Sequence, residues 1–215
     1  MELAVTDRTR LRRKTDRGRF DWDSVLDILD EGLVCHLGFV ADGHPTVIPM
    51  AYGRIGTDLY VHGAAANNAL RSAASGTDVC LTVTLLDGLV ISRSAFHHSM
   101  NYRSVVVFGQ ATKVEDPDEK RRALLAVVDH VVPGRTAECR PPTDTEIRAT
   151  LVLRLPITEA SAKVRTGPPG EEPEDLALPH WGGVIPISVS AGTPQHDGEG
   201  DLEAATPTYP ARSPR

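Results

Sequence analysis

Residues 94–109 read SAFHHSMNYRSVVVFG and join a polar, histidine-containing loop to an apolar strand. The second half alternates between two sets of side chains, as the period of two in a strand requires: Tyr102, Ser104, Val106 and Phe108 against Arg103, Val105 and Val107. The first half has no such period. Because loops carry recognition groups while a sheet holds them in place, the stretch indicates either a ligand-binding rim or a hairpin loop that satisfies its own backbone.

Other strand-like runs lie on both sides of this stretch, at residues 33–40, 46–52, 58–62, 79–85, 89–93 and 150–155. Turn signals separate several of them: Asp42-Gly43, Gly56-Thr57 and Asp87-Gly88. Short strands at hairpin spacing, with few and short helices, predict a mainly β, antiparallel barrel or sandwich. Pro49 cannot donate to a strand ladder, so it marks an edge, a bulge or a place where another molecule contacts the backbone.

Four short helices are predicted from caps and apolar spacing. The first follows Asp21 as N-cap and stops at Gly32. The second covers the alanine-rich residues 64–74, with Asn67 or Asn68 as cap. The third starts at residues 116–118 and presents one apolar face, and a fourth starts at Thr143.

Composition places the chain among ordinary globular proteins. Its 215 residues are 40% hydrophobic and 24% charged, enough for one large domain. The net charge of −6 argues against a nucleic-acid or anionic-membrane partner. No apolar run approaches the roughly 20 residues that span a bilayer, so we expect a soluble, cytoplasmic protein. The cysteines Cys35, Cys80 and Cys139 lack paired spacing, so neither disulfides nor a metal site is expected.

The two ends of the chain differ from its middle. Residues 1–19 form a basic N-terminal leader, with seven Lys and Arg side chains between residues 7 and 19. This leader is either a nucleic-acid arm or a solvated segment, and the acidic remainder of the chain favours the second. We expect residues 20–190 to form the β domain. Residues 191–215 are rich in proline and acid and are expected to be a disordered tail.

Several motifs, in order along the chain, resemble one known family: LRRK at 11–14, RGRFD at 17–21, PMAY at 49–52, LYVHGA at 59–64, FHHSMNYRSV at 96–105, AKVR at 162–165 and WGGV at 181–184. The chain is similar to the pyridoxamine 5′-phosphate oxidase-like family, and more narrowly to the subgroup that contains the nitroimidazole-resistance flavoproteins. The resemblance covers about residues 10–188. It implies an FMN-binding split β-barrel with Greek-key-like, antiparallel strands, a homodimer with FMN between its subunits, and oxidoreductase activity on an unidentified small molecule.

The resemblance also implies which residues bind FMN. One wall of the cleft is the strand Pro49, Met50, Ala51 and Tyr52, and the turn beneath the flavin is His62, Gly63 and Ala64. The opposite wall is Ser99, Met100, Asn101 and Arg103, and Trp181 closes the site. The phosphate is expected at Asn67, Asn68 and Arg71. Many relatives carry Lys or Arg where this chain has Asn67 and Asn68, so Arg71, Arg93 or Arg103 could supply the charge instead.

Alternatives remain open for individual residues and for the cofactor. His62 is either structural, a proton donor assigned here as the catalytic residue, or a heme ligand, since relatives of this barrel bind heme or F420. Arg103 lies in an apolar strand and needs a partner, for which Glu115 is the candidate. His97 and His98 are adjacent and so point opposite ways. A flavin-binding module without turnover is the remaining alternative.

Overall fold

The strand predicted at residues 102–108 is the middle of a longer strand in the computed structural model, which describes residues 2–199 and residue 206. In chain order the strands are β1 (Gly18–Arg19), β2 (Cys35–Ala41), β3 (His44–Met50), β4 (Tyr52–Ile55), β5 (Asp58–Ala64), β6 (Asp78–Ile91), β7 (Ser99–Gln110), β8 (Thr112–Lys113), β9 (Thr150–Pro156), β10 (Glu159–Arg165) and β11 (Gly183–Pro186). The helices are α1 (Trp22–Glu31), α2 (Asn68–Ala73), α3 (Pro117–Val131) and α4 (Asp144–Ala149).

The strands form two antiparallel sheets. The larger has the order β1-β10-β7-β6-β2-β3, with β11 paired to β6, and the smaller has the order β4-β5-β9-β8. Among the described residues neither sheet closes on itself, so the mainly β, antiparallel prediction is confirmed and the barrel is open. β3 is an edge strand, which is where a strand proline is tolerated.

Two strand boundaries differ from the sequence prediction. The run at 46–52 is not one strand: β3 ends at Met50, and Tyr52 begins β4 in the other sheet. The runs at 79–85 and 89–93 are one strand, β6, and Asp87-Gly88 is not a turn. The register with β7 shifts between Leu86 and Gly88, so Asp87 is the extra residue of a β-bulge.

All four predicted helices are present, and their caps explain where they start. The Asp21 side chain accepts a hydrogen bond from the Ser24 backbone N–H at the start of α1. Asn67 caps α2, Asp116 caps α3, and Thr143 forms a capping box with Glu146 at the start of α4.

Helix α3 lies against the smaller sheet, and a glycine permits its close approach. A Cβ atom on Gly53 of β4 would lie 2.7 Å from the Val127 backbone nitrogen and 2.8 Å from the Ala126 carbonyl carbon. Only a residue without a side chain fits there. The second face of the smaller sheet is therefore covered by α3, and this position of the helix creates the cavity described below.

The main core lies between the two sheets and α1. It includes Cys35, and burial raises the pKa of that thiol to about 12. The leader is packed on this core: Leu3 is buried, and Arg8 pairs with Asp78 and Glu159. The division into leader, domain and tail stays a prediction, and its tail residues 200–205 and 207–215 lie outside the described residues. No helix in the described part of the chain is long and apolar enough to cross a membrane.

Candidate functional site

The two predicted walls of the cofactor cleft lie on strands that are not neighbours. Cross-strand pairs connect Pro49 to His36, His36 to Thr82, and Thr82 to Val106. At the usual strand spacing, these three steps separate β3 from β7 by about 14 Å. Arg103 lies a further ~10 Å along β7. Residues of the two walls therefore do not lie side by side within one chain.

The wall on β3 and β4 divides into surface and core residues. Pro49 is exposed, and Met50 and Ala51 are half-buried. Tyr52 is fully buried, and its hydroxyl donates to the carbonyl oxygens of Leu29 and Gly32. Tyr52 thus has a core side chain that anchors the end of α1, and a contact of its backbone with the cofactor stays a prediction.

The wall on β7 is likewise mixed. Ser99 and Met100 are exposed at its start. Asn101 is buried: its amide nitrogen donates to the Gly167 carbonyl oxygen at 3.2 Å, and its amide oxygen accepts from Arg165. Asn101 therefore holds the loop after β10 in place, and only Ser99 and Met100 present free side chains at this wall.

Arg103 is occupied by two carboxylates. It donates to Asp87 at 2.8 and 3.0 Å and to Glu31 at 2.8 Å, and these contacts raise its pKa. Its partner is therefore not Glu115, which instead pairs with Lys113 at 2.7 Å. Arg103 has no free donor face for a phosphate.

Arg93 is also engaged within the chain. Its guanidinium pairs with Glu171 at 3.1 Å, and the same carboxylate accepts from the Ser92 hydroxyl. Trp181, whose side chain is exposed, lies next to Gly182, where an added Cβ would be 2.6 Å from Arg93 Nη1. This cluster fixes the segment that carries Trp181 but leaves the indole uncovered.

Of the residues predicted near the flavin phosphate, Arg71 is the one with a free charge. Asn67 uses its side-chain oxygen to cap α2, whereas Asn68 is exposed. Among the described residues the Arg71 guanidinium has no hydrogen bond or ion pair; only its backbone N–H donates, to the Asn67 carbonyl oxygen. Packing explains why position 63 is a glycine, because a Cβ there would lie 2.5 Å from Leu70 Cδ1. Ala64, which follows it, is exposed.

His62 faces away from the main core. It lies on β5 with its side chain toward α3, on the same face as the buried Tyr60. Its Nδ1 atom is buried and has no hydrogen-bond partner in the described chain. Burial lowers the pKa of His62, so the ring is neutral near pH 7. A neutral imidazole with an unpaired nitrogen is the form that ligates a metal.

The cavity that His62 enters is mostly apolar. It has a volume of about 410 Å³ and is lined by His62, Leu124, Leu125, Val127, Val128, Cys139, Arg140, Pro142 and Glu146. This volume is in the range of small-molecule sites. Arg140 is the cation of the lining; it pairs with Glu146 at 2.7 Å, and its side chain is 67% exposed.

The other histidines singled out in the sequence have local roles. His97 lies 3.5 Å from Glu172, and the His98 ring is 3.1 Å from the Ser94 carbonyl oxygen. His36 is exposed on β2 and lines a separate cavity beside the Arg103 cluster. Among the described residues no group of three or more His, Cys, Asp or Glu could hold a metal ion by itself.

Sequence reasoning missed the lining of the His62 cavity. The apolar face of α3, with Leu124, Val127 and Val128, was visible in the sequence but indistinguishable from an ordinary core face. Arg140 lies in the predicted loop before α4, and no local pattern connects it with His62. Only the packing of α3 on the smaller sheet brings these residues together.

The open sheets, the edge strand with Pro49 and the His62 cavity define a mainly β, split-barrel protein with a mostly apolar cavity beside His62. Residues 21–164 match the family model of pyridoxamine 5′-phosphate oxidase. The chain belongs to the pyridoxamine 5′-phosphate oxidase-like family. The resemblance found in the sequence is thereby confirmed.

Solved structures agree with this assignment. The flavocytochrome Anf3 from Azotobacter vinelandii is 40% identical, with 95% of each chain covered and a TM-score of 0.88. A FAD and heme binding protein from Mycobacterium smegmatis is 36% identical, covering 89% of this chain and 94% of that one, with a TM-score of 0.84. A Bacteroides thetaiotaomicron protein assigned to 5-nitroimidazole antibiotic resistance shares the fold at 24% identity and a TM-score of 0.58, over 68% and 86% of the chains. No curated protein sequence matched significantly.

Proposed function

We propose that this chain is a flavin-dependent oxidoreductase that also binds heme, and that His62 is the residue that would hold the heme iron. The observation that carries the proposal is that His62 lines a cavity of about 410 Å³ while its buried Nδ1 has no hydrogen-bond partner among the described residues. An unpaired imidazole in an apolar cavity is costly unless a ligand uses it. The two similar proteins described as a flavocytochrome and as a FAD and heme binding protein support the same conclusion.

The residues of the cavity fit a heme. Leu124, Leu125, Val127 and Val128 would supply apolar contacts to it. Arg140, the cation at the rim, donates to both carboxylate oxygens of Glu146, so a propionate carboxylate would have to replace that partner. His62 is desolvated, which keeps its ring deprotonated and available to iron. Bound heme and flavin together supply one- and two-electron redox chemistry, while this chain binds and orients them and excludes water.

We place the flavin in a cleft between two copies of the chain. The distance between the β3 and β7 walls supports this arrangement, because one subunit alone does not bring them together. Val40, Val47, Leu89, Met100 and Ile185 of the larger sheet are between 36% and 64% exposed. Leu89 is the cross-strand partner of both Met100 and Ile185, so part of this surface is a continuous apolar patch suited to a homodimer.

The flavin we propose is FAD, since the similar Mycobacterium smegmatis protein is described as binding it. FMN, implied by the sequence resemblance, is the alternative. Mass spectrometry of the cofactor released from purified protein separates the two from each other and from F420. Release of F420 alone, or of no flavin, would contradict the proposal.

The heme proposal is tested by hemin titration of the purified full chain. The wild type is expected to develop a Soret band with one hemin per chain, and His62→Ala to lose it. His36→Ala is the matched control, because His36 is exposed and lines a different cavity. An unchanged Soret spectrum in His62→Ala would show that His62 does not hold the heme iron.

Turnover distinguishes an enzyme from a cofactor-binding module. Purified protein carrying both cofactors is expected to oxidise NAD(P)H with dioxygen or another acceptor. Absence of turnover across a panel of donors and acceptors would indicate a cofactor-binding module without enzymatic activity. The cofactor assignments would be unaffected, because they are tested by the spectra and by mass spectrometry.

A further inference from the structure

The basic leader is folded onto the domain over its described residues 2–19. The Leu3 backbone N–H donates to the Phe20 carbonyl oxygen at 2.7 Å, and β1 pairs with β10, where Gly18 faces Lys163. Leu11 packs on the same glycine, since a Cβ there would lie 2.9 Å from Leu11 Cδ1. The side chains of the leader are therefore presented from fixed positions.

One cation of the leader holds it in place. Arg8 pairs with Asp78 at 3.0 Å and with Glu159. Its guanidinium carbon also lies 5.4 Å from the centre of the Phe108 ring, within the range of a cation–π contact. These contacts compensate the charge of Arg8 and explain its position.

The cations that follow Arg8 are left without a counter-charge. Within residues 2–199, no hydrogen bond or ion pair engages the side chains of Arg10, Arg12, Arg13, Lys14 and Arg17. Arg19 donates only to the backbone carbonyl oxygens of Asp16 and Gly18. In residues 20–199, by contrast, eight of the fourteen Lys and Arg side chains pair with a carboxylate. The leader thus presents an unusual share of unpaired positive charge.

Two of these cations lie where the local structure does not favour them. Lys14 has a left-handed backbone with φ of 53°, which residues other than glycine rarely adopt. Arg17 acts on the buried Arg165, whose guanidinium donates to neutral acceptors only. Desolvation and the charge of Arg17 lower the pKa of Arg165. Unfavourable local structure of this kind is typical of functional positions.

The net positive charge of the chain lies in the leader. Residues 1–19 contain seven Lys and Arg against three Asp and Glu, whereas residues 20–215 contain sixteen against twenty-six. A long polyanion such as a nucleic acid would extend beyond the leader and be repelled by the acidic remainder. A folded partner with a local acidic face can bind the leader without covering that remainder.

The leader lies near the strand that carries one wall of the proposed flavin cleft. Gly18 of β1 pairs with Lys163 of β10, and Lys163 pairs with Ser104 of β7. Two strand spacings amount to about 10 Å. A protein bound to the leader would therefore lie within two strands of β7.

We propose that the leader is the docking surface for an acidic electron-carrier protein. The redox role of the partner rests on the proposed function, whereas the docking depends only on the leader. Each docked carrier would give one electron to the redox centre of this chain and leave oxidised by one electron. Lys and Arg side chains at fixed positions steer an acidic partner and set its orientation, most strongly at low salt.

The test is isothermal titration of the full chain with a plant-type [2Fe–2S] ferredoxin and, separately, with a flavodoxin, both small acidic electron carriers. We expect saturable binding of at least one carrier that weakens as sodium chloride is raised. The triple variant Arg10→Gln, Arg12→Gln and Arg13→Gln should bind that carrier about tenfold more weakly, the loss expected for three exposed ion pairs. Thermal unfolding checks that each variant folds.

A matched triple variant separates the leader from net charge alone. Arg122→Gln, Arg135→Gln and Arg154→Gln remove the same number of positive charges outside the leader, and all three side chains reach the surface. This control should bind the carrier like the wild type. Equal weakening in the two triple variants, or no binding of either carrier by the wild type, would overturn the proposal.

Two further arms address other anions. Random-sequence duplex DNA that binds more tightly than either carrier, and that the leader variant no longer binds, would assign the leader to nucleic acid and overturn the proposal. Loss of carrier binding when the chain is loaded with FAD would assign the cations to the flavin phosphates, with the same consequence. A chain that binds a carrier but takes up neither flavin nor hemin would refute the proposed function and leave the docking surface in place.

Discussion

Arg103 and His62 are both polar residues in apolar strands, but their side chains have opposite environments in the folded chain. Arg103 is held by Glu31 and Asp87, so its charge is compensated within the chain. His62 is buried toward an apolar cavity with an unpaired ring nitrogen. A polar residue in a strand is thus a functional candidate when the folded chain leaves it without a partner, and a structural one when it does not.

The bulge in β6 explains why Arg103 is paired within the chain. The extra residue is Asp87, and its carboxylate meets the guanidinium. No comparable donor or acceptor is supplied to His62 by α3, which presents leucine and valine side chains instead. The difference follows from the neighbours and not from the two residues themselves.

The largest change in stability is expected from Arg103→Met, which removes the paired member of the two. Removing the guanidinium takes away the cation that both Glu31 and Asp87 contact, which should lower the free energy of unfolding by about 3 kcal/mol. Urea denaturation measures it, with Arg135→Met as control, since Arg135 pairs with Glu138 at the surface. The surface control should cost under ~1 kcal/mol. An equally small loss of unfolding free energy in Arg103→Met would show that the ion pairs of Arg103 do not stabilise the fold.

A smaller effect is expected from Tyr52→Phe. The change removes one hydroxyl that donates to the Leu29 and Gly32 carbonyl oxygens, which should cost about 1–2 kcal/mol of stability. Because the side chain is buried in the core, the amount of flavin bound per chain should stay unchanged. Loss of flavin binding without loss of stability would show that the Tyr52 hydroxyl contributes to the flavin site.

The smallest expected effect is a pH dependence that His62 adds to stability. Its pKa in the folded chain is lowered by desolvation, so below about pH 6.5 the unfolded chain takes up a proton that the folded chain does not. Stability should therefore fall as the pH is lowered from 7 through 5, at no more than about 1.4 kcal/mol per pH unit from this residue. His62→Gln, compared in urea titrations without heme, should fall less steeply, and His36→Gln should follow the wild type. Identical slopes for His62→Gln and the wild type would show that His62 is not desolvated.

Much of the fold could be predicted from the sequence, because caps and alternation are local signals. Asp21, Asn67 and Thr143 each mark a helix start that the structure confirms. Strand boundaries were less accessible: the turn-like Asp87-Gly88 is a bulge because β7 continues to pair on both sides of it. Strand β10 reads EASAKVR and does alternate apolar with polar residues, but two of its three apolar side chains are alanines, which give only a weak strand signal.

The candidate site was predictable only in part. His62 was found through the family resemblance, and its unpaired state emerged only from the packing of α3. Arg103 attracted attention because its strand is apolar, but its partners Glu31 and Asp87 are far away in sequence.

The central claim, that His62 ligates heme iron, is tested most directly by chemical rescue. In His62→Gly the side chain is replaced by space next to the cavity, and added imidazole can occupy it. We expect that hemin-loaded His62→Gly lacks the wild-type Soret position and regains it when imidazole is added, while His36→Gly needs no rescue. A His62→Gly protein with the wild-type spectrum before imidazole is added would contradict the account.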